Sequence, residues 1–346
     1  VEIKTRNVNT AFKTLVQLFH SEEYCGDVWP WEVHGRKASV VAKSPRGMAT
    51  RMVGEPVTVA YDQPTERVLF NSARDANPFF HLYHALWLLA GRDDVAAPAY
   101  YVWRYAEFSD DGVTSNGSYG RRWRHSGAGD QLELVVRHLR DKPDSRRAVI
   151  QMWTAEDDLV RADTSRDVCC NLCVLPVLRE TPEGRVLDVT VMNRSNDLVW
   201  GLLGEDVVTF SVLQEYLAAK LGAGVGLYHH VTNNLHVYDS NWRPNEWLAD
   251  ETPEPGPRRV PLVEDPVAFD TQLPFVVSHF DGREVGSIGA DEITEPFLWD
   301  VVRPLLRAYS MHRQRRTGDA IGLVTDQCEA DDWRLVAVQW LRRRLK

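Results

Sequence analysis

Residues able to do chemistry concentrate between 167 and 206: Cys169, Cys170 and Cys173, then Arg194-Ser195-Asn196-Asp197, then Asp206. A thiol attacks as its thiolate, and a fixed guanidinium nearby favours that anion. Cysteine beside arginine and carboxylate therefore suits nucleophilic attack on an anionic substrate. Clustered cysteines can also hold zinc, but Cys169, Cys170 and Cys173 lack a second Cys-x-x-Cys or paired histidines, so no metal is expected. Five cysteines are an odd number, and three share one strand-like run whose neighbours point to opposite faces. That is poor disulfide design and points to a reducing, cytoplasmic setting.

The thiols sit on one arm of a predicted hairpin. Apolar, β-branched runs at 168–178 and 186–192 flank a polar break at 180–184, which predicts a somewhat long loop. Helical spacing of Val8, Phe12, Leu15, Val16 and Phe19 predicts an outer helix. Residues 79–90 are apolar nearly all round and end at Gly91, so a buried helix is expected, with His84 inside it. A second buried helix is expected over 207–221, and a third helix over 131–139 that stops at Lys142-Pro143-Asp144. Residues 148–153 and 226–238 each suggest one strand. A run at 40–54 is broken by a Ser44-Pro45-Arg46-Gly47 turn. Residues 252–261 are proline-rich and suggest a linker or surface loop. Helices are expected over 295–315, divided by Pro304, and over 330–346, whose basic end complements a helix C-terminus.

Composition bounds the partners. The 346-residue chain carries a net charge of −9, with 44% hydrophobic and 26% charged residues, which suits a globular fold with a large core. No basic excess exists to displace counterions, so direct nucleic-acid binding is not expected, while a local basic pocket for one phosphate is compatible. No apolar run is long enough to span a bilayer, no signal peptide is evident, and no membrane partner is expected.

Cys170 with its hairpin, Arg194-Ser195-Asn196-Asp197, Trp200-Gly201 and a polar residue at 206 resembles thymidylate synthase and its pyrimidine hydroxymethylase relatives. Four further blocks carry the resemblance in the same order: HALWLLAGRDDV at 84–95, SYGRRW at 118–123, DSRRAVIQMW at 144–153 and NNLHVYDSNW at 233–242. It covers roughly residues 40–245. The implied fold is α+β: a large mixed sheet covered by helices, packed through sheets into a homodimer with shared active sites. One domain spanning 1–346 is expected, with 246–346 as a C-terminal extension.

The resemblance also implies roles. Cys170 adds to C6 of a pyrimidine nucleoside monophosphate, with Cys169 as rival. Arg46 and, across the dimer, Arg146 and Arg147 grip the phosphate, where guanidinium forks suit its oxygens, and Arg194 is a further substrate-binding residue. Ser195, His236 and Tyr238 meet the sugar side, and Tyr119 lies beside the cysteine. Trp103, Asp197 and Gly201 face the cosubstrate, 5,10-methylenetetrahydrofolate. At position 84 the family carries a glutamate that relays protons. Histidine stands there instead, and can itself move protons near neutral pH.

Asp206 departs from the asparagine of uracil-using members. An ionised carboxylate only accepts, which suits the cytosine amino group. The resulting expectation is a deoxycytidylate 5-hydroxymethyltransferase. Alternatives are a CMP 5-hydroxymethylase, a (d)CMP C5-methyltransferase, a dUMP-using thymidylate synthase-like enzyme, and a nucleotide-binding protein that has lost catalysis.

Overall fold

The computed structural model describes residues 1–20, 39–43, 47–282, 289 and 292–345. Its strands are β1 (Glu2–Thr5), β2 (Ser39–Lys43), β3 (Ala49–Val53), β4 (Val57–Tyr61), β5 (Ile150–Gln151), β6 (Asn171–Thr181), β7 (Gly184–Asn193), β8 (Asn196–Asp197), β9 (Gly224–Thr232) and β10 (Leu235–Tyr238). A mixed sheet runs β1-β4-β9-β7-β6-β5, with β1/β4 and β7/β9 parallel, and a smaller one runs β2-β3-β10-β8.

The helices are α1 (Val8–His20), α2 (Pro78–Leu89), α3 (Ala96–Tyr101), α4 (Tyr119–Arg124), α5 (Gln131–Asp141), α6 (Asp206–Leu221), α7 (Pro244–Ala249), α8 (Pro266–His279), α9 (Arg303–Arg313), α10 (Thr317–Gln327) and α11 (Asp331–Arg342). None of these is long and apolar enough to cross a membrane.

Two buried helices position the site. In α2 every residue is buried, and Pro78 opens it while the Asn77 side chain accepts from the Phe79 and Phe80 amides. A Cβ on Gly120 would strike the Leu88 backbone, so glycine is what lets α4 lie against α2. Helix α6 ends on Gly222 at φ 64, a left-handed cap that costs glycine little. Helices from the C-terminal part close over α2: Tyr83 donates to the Val277 carbonyl at 3.0 Å, and Phe79 packs on Tyr309 and Trp340.

Several expectations change. The hairpin turn is short, because Glu180 pairs with Arg185 and Thr181 with Gly184, extending both strands through the polar residues. Over 148–153 only Ile150 and Gln151 join the sheet. Residues 224–238 make two strands in different sheets, parted at Asn233-Asn234. Pro304 sits in the first turn of α9, where its missing amide costs nothing, and a π-helical turn, Leu298–Val302, precedes it. Helices α8 and α10 were not anticipated; Pro274 and Gly322 lie inside them and hide the pattern.

Candidate active site

The β6–β7 hairpin brings the thiols to the sheet end next to α6. Adjacent cysteines part company there. Cys169 is buried, with Sγ donating to the Asn171 carbonyl at 3.1 Å and its amide donating to Asp158. Asp158 is itself held by both arms of Arg122, at 2.7 and 2.9 Å. Cys170 is less buried, and the Arg194 guanidinium lies 3.7 Å from its sulfur. That guanidinium is fixed by the Val168 and Cys169 carbonyls at 2.7 and 2.9 Å.

The expected thiolate activation needs a correction. Burial pushes the Cys170 thiol up to about 11 and outweighs the downward pull of Arg194. The nearby Asp206, Asp167 and Glu205 charges push the same way. In the free protein this sulfur is held as a thiol, with its positive neighbour already in place.

Asp206 starts α6 and is buried in a net of polar side chains. Asn193 and Asn196 both donate to its Oδ2, at 3.0 and 2.7 Å, so neither occupies Oδ1. Asn171 donates to Asn193 at 2.7 Å, Asn196 meets His230 at 3.2 Å, and His230 meets the Tyr228 hydroxyl at 2.6 Å. Burial and the neighbouring Glu205 charge raise the Asp206 carboxyl to about 7. A Cβ on Gly201 would collide with the Asn196 side chain, so that glycine shapes this net. Tyr119 packs tilted against Phe210, and burial raises its phenol, with the Asp206 charge pushing the same way.

Asp197 caps a π-helical turn, Leu198–Glu205, accepting from the Val199 and Trp200 amides at 2.8 and 2.5 Å. Parallel pairing of β8 with β10 sets Asp197 opposite His236, and Ser195 Oγ lies 3.4 Å from His236 Nδ1. Tyr238 meets the His236 ring edge-on. Thus Ser195, His236 and Tyr238 form one group.

His84 is buried inside α2 between Phe80 and Trp87. Its Nε2 meets the Tyr105 hydroxyl at 3.0 Å and its Nδ1 lies 2.7 Å from Glu205 Oε1. The second approach is off the ring's donor axis, so it is a close polar contact rather than a formed hydrogen bond.

Other expected residues lie apart. Arg146 and Arg147 are exposed, and antiparallel pairing of Ile150 with Val174 sends them toward the end of β6 remote from Cys170. Trp103 is 69% exposed, with Arg104 over its ring. Arg46 lies outside the described residues. Among the described residues no His, Cys, Asp and Glu side chains gather as a metal-holding group.

A flat heteroaromatic cosubstrate fits what is present. Trp200 is 36% exposed beside Phe80, and the Asp197 carboxyl accepts from the Trp200 amide opposite His236. Sequence reasoning names Asn196 only as part of its motif and misses Glu205, Asn193 and His230. Their signal was faint: polar letters inside an otherwise apolar hairpin and helix start.

Comparison with known proteins agrees with this arrangement. Residues 74–266 match the family model for thymidylate synthase. Over 359 residues the chain is 36% identical to the deoxyuridylate hydroxymethyltransferase of Pseudomonas phage M6, covering 99% of this chain and 94% of the relative. It is 39% identical over 205 residues to the enzyme of the same description from Bacillus phage SP01, covering 56% of this chain and 52% of that one. A thymidylate synthase from Symbiobacterium thermophilum is 28% identical over 192 residues, 50% of this chain and 61% of that one. With its thiol, fixed arginine and polar net on the matched segment, the chain belongs to the thymidylate synthase family, as a one-carbon transferase whose cosubstrate is 5,10-methylenetetrahydrofolate.

Proposed function

We propose that the protein is a deoxyuridylate 5-hydroxymethyltransferase. The observation that carries this reading is the buried Asp206 carboxyl beside Glu205. A buried carboxyl next to a second carboxylate resists double ionisation, and Asp206 is the more buried of the two, which favours a proton there. A neutral carboxyl offers one donor and one acceptor, the same pair as an asparagine amide, and so can donate to uracil O4. The amides of Asn193 and Asn196 hold Oδ2 and leave Oδ1 for that contact. The names carried by the two phage relatives support the same base and the same product.

Cys170 adds through sulfur to C6 of the ring, which makes C5 nucleophilic. Arg194, pinned to two carbonyls, supplies positive charge to sulfur and to the substrate phosphate. Ser195, His236 and Tyr238 orient the sugar, so binding energy places the ring against the thiol. The cosubstrate, when bound, supplies the one-carbon unit that becomes attached to C5.

A deoxycytidylate substrate is the second reading, favoured by the ionised form of Asp206, which accepts from a cytosine amino group. Asp206 near 7 populates both forms at neutral pH. A sheet-packed homodimer belongs to the proposal too. Met192 and Leu227 expose apolar side chains on the face of β7 and β9 turned from the core, and Val149 is exposed just before β5. Arg146 and Arg147 then serve the partner's site.

The deciding experiment incubates the enzyme with methylenetetrahydrofolate and dUMP, dCMP or CMP, and identifies products by mass. 5-Hydroxymethyl-dUMP formed with the highest kcat/KM is expected. A preference for a cytidylate, or a methylated product, would replace this reading.

A further inference from the structure

Glu205 is a site carboxylate with no role in the steps above. It is the last residue of the π-helical turn, which closes when the Asp206 amide donates to the Gly201 carbonyl. This wider turn accommodates one more residue than an α-helical turn and seats Glu205 and Asp206 side by side at the start of α6. The Glu205 side chain is 12% exposed, and Oε1 lies 2.7 Å from His84 Nδ1.

Both ring nitrogens of His84 face protein groups. Tyr105 meets Nε2, Glu205 faces Nδ1, and the ring is sandwiched at 5.2 Å from Phe80 and 5.1 Å from Trp87. The imidazole is therefore placed to hold a partner rather than to meet a substrate. Glu205 turns Oε1 toward His84, and among the described residues no hydrogen bond occupies Oε2. Its charge acts on the Cys170 thiol, on Asp206 and on Tyr119, so it stands among the groups of the reacting face.

We propose that Glu205 is the general base and then the general acid of hydroxymethyl transfer, and that His84 is a positioning residue that holds it. This rests on the reading that the product is a hydroxymethyl nucleotide. At that stage C5 carries an exocyclic methylene and Cys170 sulfur is bonded to C6. A water oxygen bonds to the methylene carbon, its proton passes to the Glu205 carboxylate, and the methylene π pair moves into the ring as an enolate. That pair then reforms C5=C6 as the C6–S bond breaks. Glu205 returns its proton to the departing thiolate, so one water is consumed, the thiol is regenerated and nothing is oxidised.

The test compares wild type with Glu205→Gln, His84→Ala and His84→Gln in the full chain. It reads dUMP affinity by calorimetry, the covalent adduct with 5-fluoro-dUMP and methylenetetrahydrofolate by mass spectrometry, and the rate of hydroxymethyl product. Glu205→Gln is expected to slow product formation by about a hundred- to ten-thousand-fold, with affinity and adduct yield falling far less, since the Glu205 charge reaches binding only through the proton on Asp206. His84→Gln, which keeps a polar group facing Glu205, is expected to keep more of the rate than His84→Ala. A wild-type rate in Glu205→Gln would overturn the inference. So would a loss of affinity and adduct in step with the rate, since that marks a structural role. If wild type itself yields no hydroxymethyl product from dUMP, dCMP or CMP, the proposed function is what fails.

Discussion

The amide and carboxyl net around Asp206 and the arginine turn before β5 are both polar, yet they are built in opposite ways. In the net, Asn171, Asn193, Asn196, His230 and Tyr228 are linked by hydrogen bonds away from water, with Asn171 Oδ1 left without a partner. Arg146 and Arg147 stand exposed. Buried polar groups cost free energy when a partner is removed, whereas exposed charges are screened and contribute little to folding. On the proposed roles, base choice would be bound up with the stability of the fold, while phosphate grip could be altered with the fold intact.

The thiols give the largest expected effect and the sharpest version of that contrast. Cys170→Ser should reduce turnover on the order of ten-thousand-fold or more, with nucleotide affinity retained because Arg194 is held by carbonyls rather than by sulfur. Cys169→Ser, on the core-facing side, should keep turnover. Steady-state rates for both variants check this, and the reverse pattern would make Cys169 the nucleophile.

Base choice comes next. Asp206 is neutral below about 7 and ionised above it, so the dUMP to dCMP ratio of kcat/KM should fall as pH rises through that value. Cys170 titrates for both substrates alike and cancels in the ratio. Tyr61, Tyr119 and Tyr228 also face Asp206, but burial raises all three phenols, and they stay neutral across this range. Asp206→Asn keeps a donor at every pH, so its ratio should favour dUMP and stop changing. An unpaired buried contact costs about 1–3 kcal/mol, roughly five- to a hundred-fold. A flat wild-type profile would separate Asp206 from base recognition.

The same carboxyl has a stability signature. Its folded value near 7 lies above its ordinary 3.8, so between these limits the folded state binds more protons than the unfolded one. Stability should therefore fall as pH rises through that window and level off above it, and Asp206→Asn should remove this slope in urea titrations. Asn196→Ala, which strips a donor from Asp206 and from His230, should cost about 1–3 kcal/mol in the same assay.

The smallest effect on folding belongs to the arginines. Arg146→Ala and Arg147→Ala should change stability by no more than about 0.5 kcal/mol while raising KM for the nucleotide. Mixing either variant with Cys170→Ser should restore part of the activity if the turn serves a partner subunit. No recovery after verified subunit exchange would place the phosphate grip within one chain.

Much of the framework was legible from local pattern alone. Apolar residues all round 79–90 and 207–221 can only be buried, and helices α2 and α6 follow from that. Alternating β-branched runs on either side of a polar break define the β6–β7 hairpin, and the ordered blocks around Cys170 carry the family. Contacts distant in sequence decided the rest. Cys169 and Cys170 look alike in the chain, and only packing assigns one to Asn171 and the other to Arg194. Pairing with two different partners splits 224–238 into β9 and β10, because strand edges are satisfied by whichever neighbour the fold supplies. Glu205 and His84 are far apart in the chain and meet only because the π-helical turn and α2 pack together. No periodicity records that contact, since burial and charge proximity are properties of the assembled interior rather than of local sequence.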